Sequence, residues 1–314
     1  MKKISVIIPM YNEESIVDIC YNRISEALKN IEKYEYELIF VNDGSKDKTL
    51  ELLKNIYERD NKIRIISFSR NFGHQAAVTA GLKQVEGDLC VIIDADMQDP
   101  PECIKDMVKL WEEGNEIVYA VRKKRKGENI FKKITAKLFY RLLNKLSDVY
   151  IPKDTGDFRL IDRKVVNVIN NLPEHNKFLR GLISWTGFKQ IPYYYERDKR
   201  AAGKTKYPLK KMMKLALDGI LNFSTKPLKM IGIIGVFCIV ISLVILAYAL
   251  ISYFFNLNNL TAGWTSIMVT ITFLSGLQFL MIYVISEYIA RIYDETRKRP
   301  EYIIDQEIKN EDNG

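Results

Sequence analysis

Leu89-Cys90-Val91-Ile92-Ile93-Asp94-Ala95-Asp96-Met97-Gln98-Asp99-Pro100-Pro101 is an apolar run that ends in two carboxylates. A short run rich in β-branched residues reads as a strand buried on both faces. The acids at its end put charge where the sheet opens to solvent, the edge at which open α/β sheets bind ligands. Two hard oxygen donors there suit Mg²⁺ or Mn²⁺ held together with a ligand's phosphates, which makes this a candidate nucleotide-handling site. The triplet alone is a weak signal, because Asp-x-Asp also marks solvated turns and needs structural context.

That context lies upstream. Apolar runs at residues 4–8, 36–41 and 63–68 alternate with helix-patterned stretches at 15–31, 47–60 and 76–85 before the run at 89–93. This alternation is the signature of parallel βαβ units and an α/β fold. Ser45-Lys46-Asp47 ahead of Lys48-Thr49-Leu50 supplies helix-capping chemistry. The first strand ends in Pro9-Met10-Tyr11-Asn12-Glu13-Glu14 and the second in Asn42-Asp43-Gly44-Ser45-Lys46-Asp47. Parallel strands bring these two ends and Asp94-Ala95-Asp96 to one edge, a convergence harder to obtain by chance than any one of them.

The second half is of another kind. Of 314 residues, those from 230 to 286 contain no Asp, Glu, Lys or Arg. Asn256-Leu257-Asn258-Asn259-Leu260-Thr261-Ala262-Gly263 divides the block into spans at 230–254 and 264–286, joined by a short external loop at 255–263. As a helix the first would reach about 37 Å and the second slightly less, both longer than the roughly 30 Å hydrocarbon core of a bilayer. Lys226 and Lys229 precede the first span, and Arg291, Arg297, Lys298 and Arg299 follow the second. By the positive-inside rule both ends of the chain, including a tail at 287–314, are cytoplasmic.

Met1-Lys2-Lys3 and the short apolar run behind it do not read as a signal peptide. Cys20, Cys90, Cys103 and Cys238 show no paired spacing and read as buried, inert thiols. Two histidines, His74 and His175, are too few for a histidine-rich zinc site. The net charge of +8 calls for anionic partners, and beside membrane spans those are lipid headgroups rather than nucleic acid. Residues 129–147 form a basic amphipathic pattern that suits either a membrane interface or packing on the domain core. Residues 208–229 repeat the pattern just before the first span and read as a juxtamembrane helix. Arg122-Lys123-Lys124-Arg125-Lys126 reads as a solvated loop that phosphate or anionic lipid could order.

With Pro9, Tyr11, Asn12 and Glu13, then Asp43-Gly44-Ser45, then Asp94-Ala95-Asp96, the chain resembles the family 2 glycosyltransferases. Ser69-Arg70-Asn71-Phe72-Gly73-His74-Gln75, Asp96-Met97-Gln98-Asp99-Pro100-Pro101-Glu102 and Asp154-Thr155-Gly156-Asp157-Phe158-Arg159-Leu160 resemble the polyprenyl-phosphate branch: bactoprenol glucosyltransferases and dolichyl-phosphate mannose synthases. The resemblance covers nearly the whole chain. It implies a GT-A (Rossmann-like) cytoplasmic domain over 1–207, then the amphipathic juxtamembrane helices and two transmembrane helices in a bacterial plasma membrane. It also implies inverting transfer of a sugar, glucose from UDP-glucose as first choice, to undecaprenyl or another polyprenyl phosphate, and a homo-oligomer.

By the same resemblance, Pro9, Tyr11, Glu13, Asp43 and Asp94 bind the nucleotide sugar, Asp43 at the base and Asp94 toward the ribose or sugar. Tyr11 and Glu13 also fit plain turn structure. Asp96, with Asp94 and Gln98, is assigned Mg²⁺ or Mn²⁺ on the diphosphate. Asp157 matches the catalytic base, but the acceptor is a phosphate monoester with a second pKa of about 6, so it can orient the nucleophile instead. An acid beside an anionic acceptor needs compensating cations; Arg159 is one candidate, or else it anchors its own loop. Arg200-Ala201-Ala202-Gly203-Lys204-Thr205-Lys206-Tyr207 resembles the family's Arg-x-x-Gly-x-Ser-Lys-Tyr segment with Thr205 in place of serine, so Arg200, Lys204 and Lys206 would hold the lipid phosphate and diphosphate. A processive polysaccharide synthase of the same fold would need a Gln-x-x-Arg-Trp segment, which is missing. A membrane-anchored pseudoenzyme that recruits partners is opposed by the intact acidic set.

Overall fold

The computed structural model describes residues 1–123, 155–174, 177–196, 226–255 and 263–309. They fall into two units, one built from the first two-thirds of the chain together with the C-terminal residues from Pro300, the other containing the long apolar helices. The amphipathic pattern at 129–147, the juxtamembrane stretch up to 225, and Arg200, Lys204 and Lys206 lie outside the described residues.

In the first unit the expected alternation is realised as β1 (Lys2–Met10), α1 (Val17–Lys29), β2 (Tyr34–Asn42), α2 (Thr49–Tyr57), β3 (Ile63–Phe68), α3 (His74–Lys83) and β4 (Leu89–Ile92). A 3₁₀ turn leads to α4 (Ile104–Glu112), followed by β5 (Ile117–Arg122), β6 (Thr155–Asp162), α5 (Arg163–Asn171), α6 (Leu179–Trp185) and β7 (Gln190–Tyr195). The expected side-chain cap of α2 is not formed, because its N-cap residue is Lys48; Asp47 instead closes a turn just ahead of the helix, its Oδ1 accepting from the Thr49 amide at 3.1 Å.

The sheet runs β7-β5-β6-β4-β1-β2-β3-β8, where β8 is Ile304–Ile308. β3, β2, β1 and β4 are mutually parallel. β6 runs antiparallel to both β4 and β5, and β7 lies parallel to β5. Because β2 and β4 flank β1 on opposite sides, the chain reverses its direction of winding at β1. The crevice outside the carboxyl ends of β1 and β4 is therefore the topological switch point at which such sheets bind ligands.

Alternation along the strands divides the core into two faces. Val6, Ile8, Leu38, Phe40 and Val91 pack with Ile24, Leu53 and Met107 from α1, α2 and α4. Ile7, Ile39, Val41, Cys90 and Ile92 pack with Val78, Val165 and Ile183 from α3, α5 and α6. Both faces of the parallel core are thus covered by helices, which explains why its strands read as unbroken apolar runs. All four cysteines are free, but only Cys20 and Cys90 are buried; Cys103 and Cys238 are half-buried, so the expectation of four buried thiols holds for two. Burial pushes the Cys20 and Cys90 thiols up and keeps them unreactive.

The second unit contains α7 (Lys226–Phe254) and α8 (Trp264–Arg297). The expected stretches at 230–254 and 264–286 are helical, and α8 continues past the second to Arg297, where Lys298 ends it in the left-handed conformation at φ 48°. Among the described residues one helical stretch, Phe273–Arg297, is long and apolar enough to cross a membrane by length and composition. The tail expected at 287–314 is therefore partly helix, and it also supplies β8, which pairs antiparallel with β3 and covers what would otherwise be a bare sheet edge.

Candidate active site

The loops after β1 and β2 are joined at the carboxyl edge by reciprocal bonds. The Asn12 amide donates to Ser45 Oγ at 2.9 Å, and the Lys46 amide donates to Asn12 Oδ1 at 2.8 Å. The Glu13 amide donates to Thr49 Oγ1 at 2.9 Å. Gly44 sits at φ +63°, and a Cβ there would meet the backbone carbonyl carbon of Arg70 at 2.3 Å, so only glycine allows the third loop to approach this closely.

Asp43 is buried beneath that contact. It accepts from the amide of Phe72 at 2.7 Å, from the amide of Gly73 at 3.0 Å, and from Asn71 Nδ2 at 2.8 Å. Burial raises its pKa, against the opposing pull of the Phe72 and Gly73 amides. Its carboxylate therefore fixes the 69–75 loop to the end of β2.

Next to it lies an acidic cluster. β6 carries Asp157 on the same face as Ile161, toward α3 and α6. Arg180, on α6, grips Asp157 with a fork, Nε to Oδ1 at 2.7 Å and Nη2 to Oδ2 at 2.8 Å. His74, the first residue of α3, holds Nε2 3.2 Å from Asp157 Oδ2 and 3.7 Å from Asp94 Oδ1. These are ion-pair contacts without hydrogen-bond alignment.

The charges polarise one another. Burial would raise Asp157, but the Arg180 guanidinium and His74 hold it well below the usual carboxylate range. Burial also opposes the charging of His74, yet Asp157 and Asp94 raise it to about 9. Asp94 is itself raised to about 6 by enclosure in the protein, with His74 pulling it down and Asp157, Asp99 and Asp96 adding to the rise. At neutral pH the cluster thus holds an ionised Asp157 between two cations, beside a crowded set of acids.

That crowding bears on the expected metal. Ligand atoms of His74, Asp94 and Asp157 lie within 4.8 Å of one another and could hold an ion. A histidine ligates only when neutral, and His74 is raised above neutral pH. Hard oxygen donors suit Mg²⁺ or Mn²⁺, and Asp94 is common to this group and to the set of Asp94, Asp96 and Gln98 expected from the sequence. Asp96 already shapes its loop by accepting from the Gln98 amide at 3.1 Å. A cation there would offset the acidic repulsion that adds to the burial-driven rise of Asp94.

Arg159 stands behind the cluster, where the Asp157 carboxylate still acts on its charge. It shares a strand face with Asp157 but stands two residues deeper into the sheet, is 5% exposed, and donates from Nη2 to the Gly156 carbonyl at 3.2 Å. Burial lowers it to about 10. In this arrangement it anchors the start of β6, and the cations against Asp157 are Arg180 and His74. Pro9 is buried at the end of β1, while Tyr11 and Glu13 are half-exposed at the same edge. Under the Asp94–Asp96 loop, buried Asp99 accepts from the Tyr195 hydroxyl, with Arg122 Nη2 3.7 Å away.

Local sequence pattern assigns no role to two of these residues, His74 and Arg180. His74 lies inside the Ser69–Gln75 motif, which marks its position but not its chemistry. Arg180 stands in Phe178-Leu179-Arg180-Gly181, where no pattern marks it.

The family model described as glycosyl transferase family 2 matches residues 5–169. The chain is 51% identical over 300 residues to an uncharacterized glycosyltransferase of Bacillus subtilis (strain 168), YkcC, covering 96% of this chain and 92% of the relative. It is 40% identical over 305 residues to the bactoprenol glucosyl transferase of Shigella phage SfV, covering 97% and 99%. It is also 40% identical over 302 residues to a prophage bactoprenol glucosyl transferase homolog of Escherichia coli (strain K12), covering 96% and 98%.

Proposed function

Because the chain belongs to glycosyltransferase family 2 and has its GT-A α/β fold, we propose that it transfers glucose from UDP-glucose to undecaprenyl phosphate, with inversion, at a bacterial plasma membrane. The observation that carries the reading is the placement of Asp157, gripped by Arg180, within reach of His74 and Asp94 at the switch-point edge. Relatives named for bactoprenol glucosyl transfer, matched over nearly their whole length, support the choice of acceptor.

In this reading the loops after β1 and β2, with Asp43, receive the nucleotide, and Asp94 faces the ribose or sugar. Asp94, Asp96 and Gln98 would hold Mg²⁺ or Mn²⁺, which when bound neutralises charge on the departing diphosphate. The acceptor's phosphate oxygen attacks the anomeric carbon from the face opposite UDP; the new carbon–oxygen bond forms as the bond to UDP breaks, and UDP leaves with the electron pair. Much of a phosphate monoester is already ionised at neutral pH, its second pKa being about 6. Asp157 is held ionised below the ordinary range and is a poor proton acceptor, so its work is to orient. Arg180 and the His74 imidazolium offset the repulsion it would exert on the incoming phosphate. The apolar α7 and α8 anchor the enzyme as two spans with both chain ends cytoplasmic, and Arg200, Lys204 and Lys206 supply positive charge for the lipid phosphate and diphosphate.

Purified full-length enzyme, incubated with undecaprenyl phosphate and separately with UDP-glucose, UDP-galactose, UDP-GlcNAc and GDP-mannose, with Mn²⁺ or with EDTA, tests this. A lipid product heavier by one hexose, formed from UDP-glucose and lost with EDTA, is expected. Turnover with none of the donors, or with GDP-mannose alone, would overturn the donor and acceptor assignment.

A further inference from the structure

We propose that Tyr302, in the segment that leads into β8, is a positioning residue for the donor site: it braces the 69–75 loop through Phe68 and Phe72. The Tyr302 ring stacks on Phe68, the last residue of β3, with centroids 4.9 Å apart and planes 13° from parallel. Phe68 in turn meets Phe72 edge to face at 5.7 Å. Phe72 is the residue whose amide donates to Asp43 at 2.7 Å, and the next amide, of Gly73, donates to the same carboxylate. At the mouth of the loop the Ser69 amide donates to the Ile303 carbonyl at 3.1 Å. Lys83, on α3, brings its ammonium 5.2 Å from the Tyr302 ring centroid, so the tyrosine touches both elements that the loop connects.

The way β8 is packed separates this role from simple edge protection. A strand added only to cover an edge needs its backbone bonds and a buried face. Here Ile303 and Ile304 stay 53% and 38% exposed, and the residues from Asp305 to Glu307 are exposed as well. Inward packing of the returning segment is concentrated in Tyr302, against the face that carries α3, and in Ile308, against the opposite face. Only the first of these lies at the carboxyl end of β3, where the loop begins.

The consequence for donor binding rests on the nucleotide assignment above, while the bracing itself does not. Full-length Tyr302→Ala, Tyr302→Phe and Ile308→Ala are compared by UDP titration calorimetry and by hydrogen–deuterium exchange of the 69–76 segment. Tyr302→Ala is expected to weaken UDP binding roughly three- to tenfold, the range an aromatic pair supports, and to speed exchange at the Phe72 and Gly73 amides. Tyr302→Phe keeps the stack and should restore both. Ile308→Ala should leave both at the wild-type level. Unchanged exchange in Tyr302→Ala, or an equal effect of Ile308→Ala, would overturn the brace. If exchange rises but wild-type protein does not bind UDP, the brace stands and the nucleotide assignment fails.

Discussion

Replacing Asp157 with asparagine keeps the side chain's shape and removes its charge, and the structure says where the loss should first be read: at His74. Asp157 Oδ2 lies 3.2 Å from His74 Nε2, and Asp94 is farther, at 3.7 Å. Against the opposing effect of burial, these carboxylates raise His74 from an ordinary 6.5 to about 9. That preference for the imidazolium is on the order of 2–3 kcal/mol once partial solvent screening is allowed for. Asparagine removes the nearer carboxylate, so the repulsion that the Arg180 guanidinium already exerts on the ring is left opposed by Asp94 alone. The His74 midpoint should fall by roughly two pH units, close to its ordinary value.

The sign of the linked stability follows. A histidine raised in the folded state stabilises the fold fully below about 6.5 and loses that contribution as pH rises through about 9. The His74 part of the difference between wild type and Asp157→Asn should therefore be present at pH 6 and gone by pH 10. Histidine-labelled full-length protein in micelles, without divalent metal, gives two imidazole signals because the chain has two histidines. His74→Gln assigns them. A wild-type His74 midpoint near 6.5, or one that stays near 9 in Asp157→Asn, would refute the account of this cluster.

Arg180→Met removes the fork and leaves Asp157, 13% exposed, without its main partner; chemical denaturation should show a loss of about 2–3 kcal/mol, and kcat should fall at least tenfold with little change in donor KM. Asp96→Ala should abolish Mn²⁺-dependent transfer and lower Mn²⁺ affinity measured by electron paramagnetic resonance, with the fold intact by circular dichroism. Gly44→Ala drives a Cβ to 2.3 Å from Arg70 backbone at a positive φ, whereas Gly156→Ala meets the movable Arg122 Nη2 at 2.9 Å; the first should abolish UDP binding by calorimetry and the second should weaken it less than threefold.

What could be read from the residues was whatever local pattern determines. Buried parallel strands declare themselves as apolar runs, and polar groups at their ends must share an edge once the sheet is parallel; hence Asp43, Asp94 and Asp96 were found together. Arg159 was legible in part. Alternation puts it on the face of Asp157, but that face turns toward α3, α5 and α6, where a residue two steps into the strand is covered and its guanidinium turns back to Gly156. Arg180 was not legible, because α6 meets β6 through tertiary packing and nothing near Phe178-Leu179-Arg180-Gly181 signals a carboxylate partner. β8 was hidden for a related reason: Ile303-Ile304-Asp305-Gln306-Glu307-Ile308 mixes three isoleucines with three polar residues in no strict alternation and becomes a strand where β3 offers it an edge. The acid proposed to face an anionic acceptor needs cations beside it on charge grounds alone; that Arg180 and His74 are the ones beside Asp157 was decided by topology. That division places the least predictable residues, His74, Arg180 and Tyr302, where distant segments meet, and it makes them the substitutions that best separate a bound phosphate from a merely folded domain.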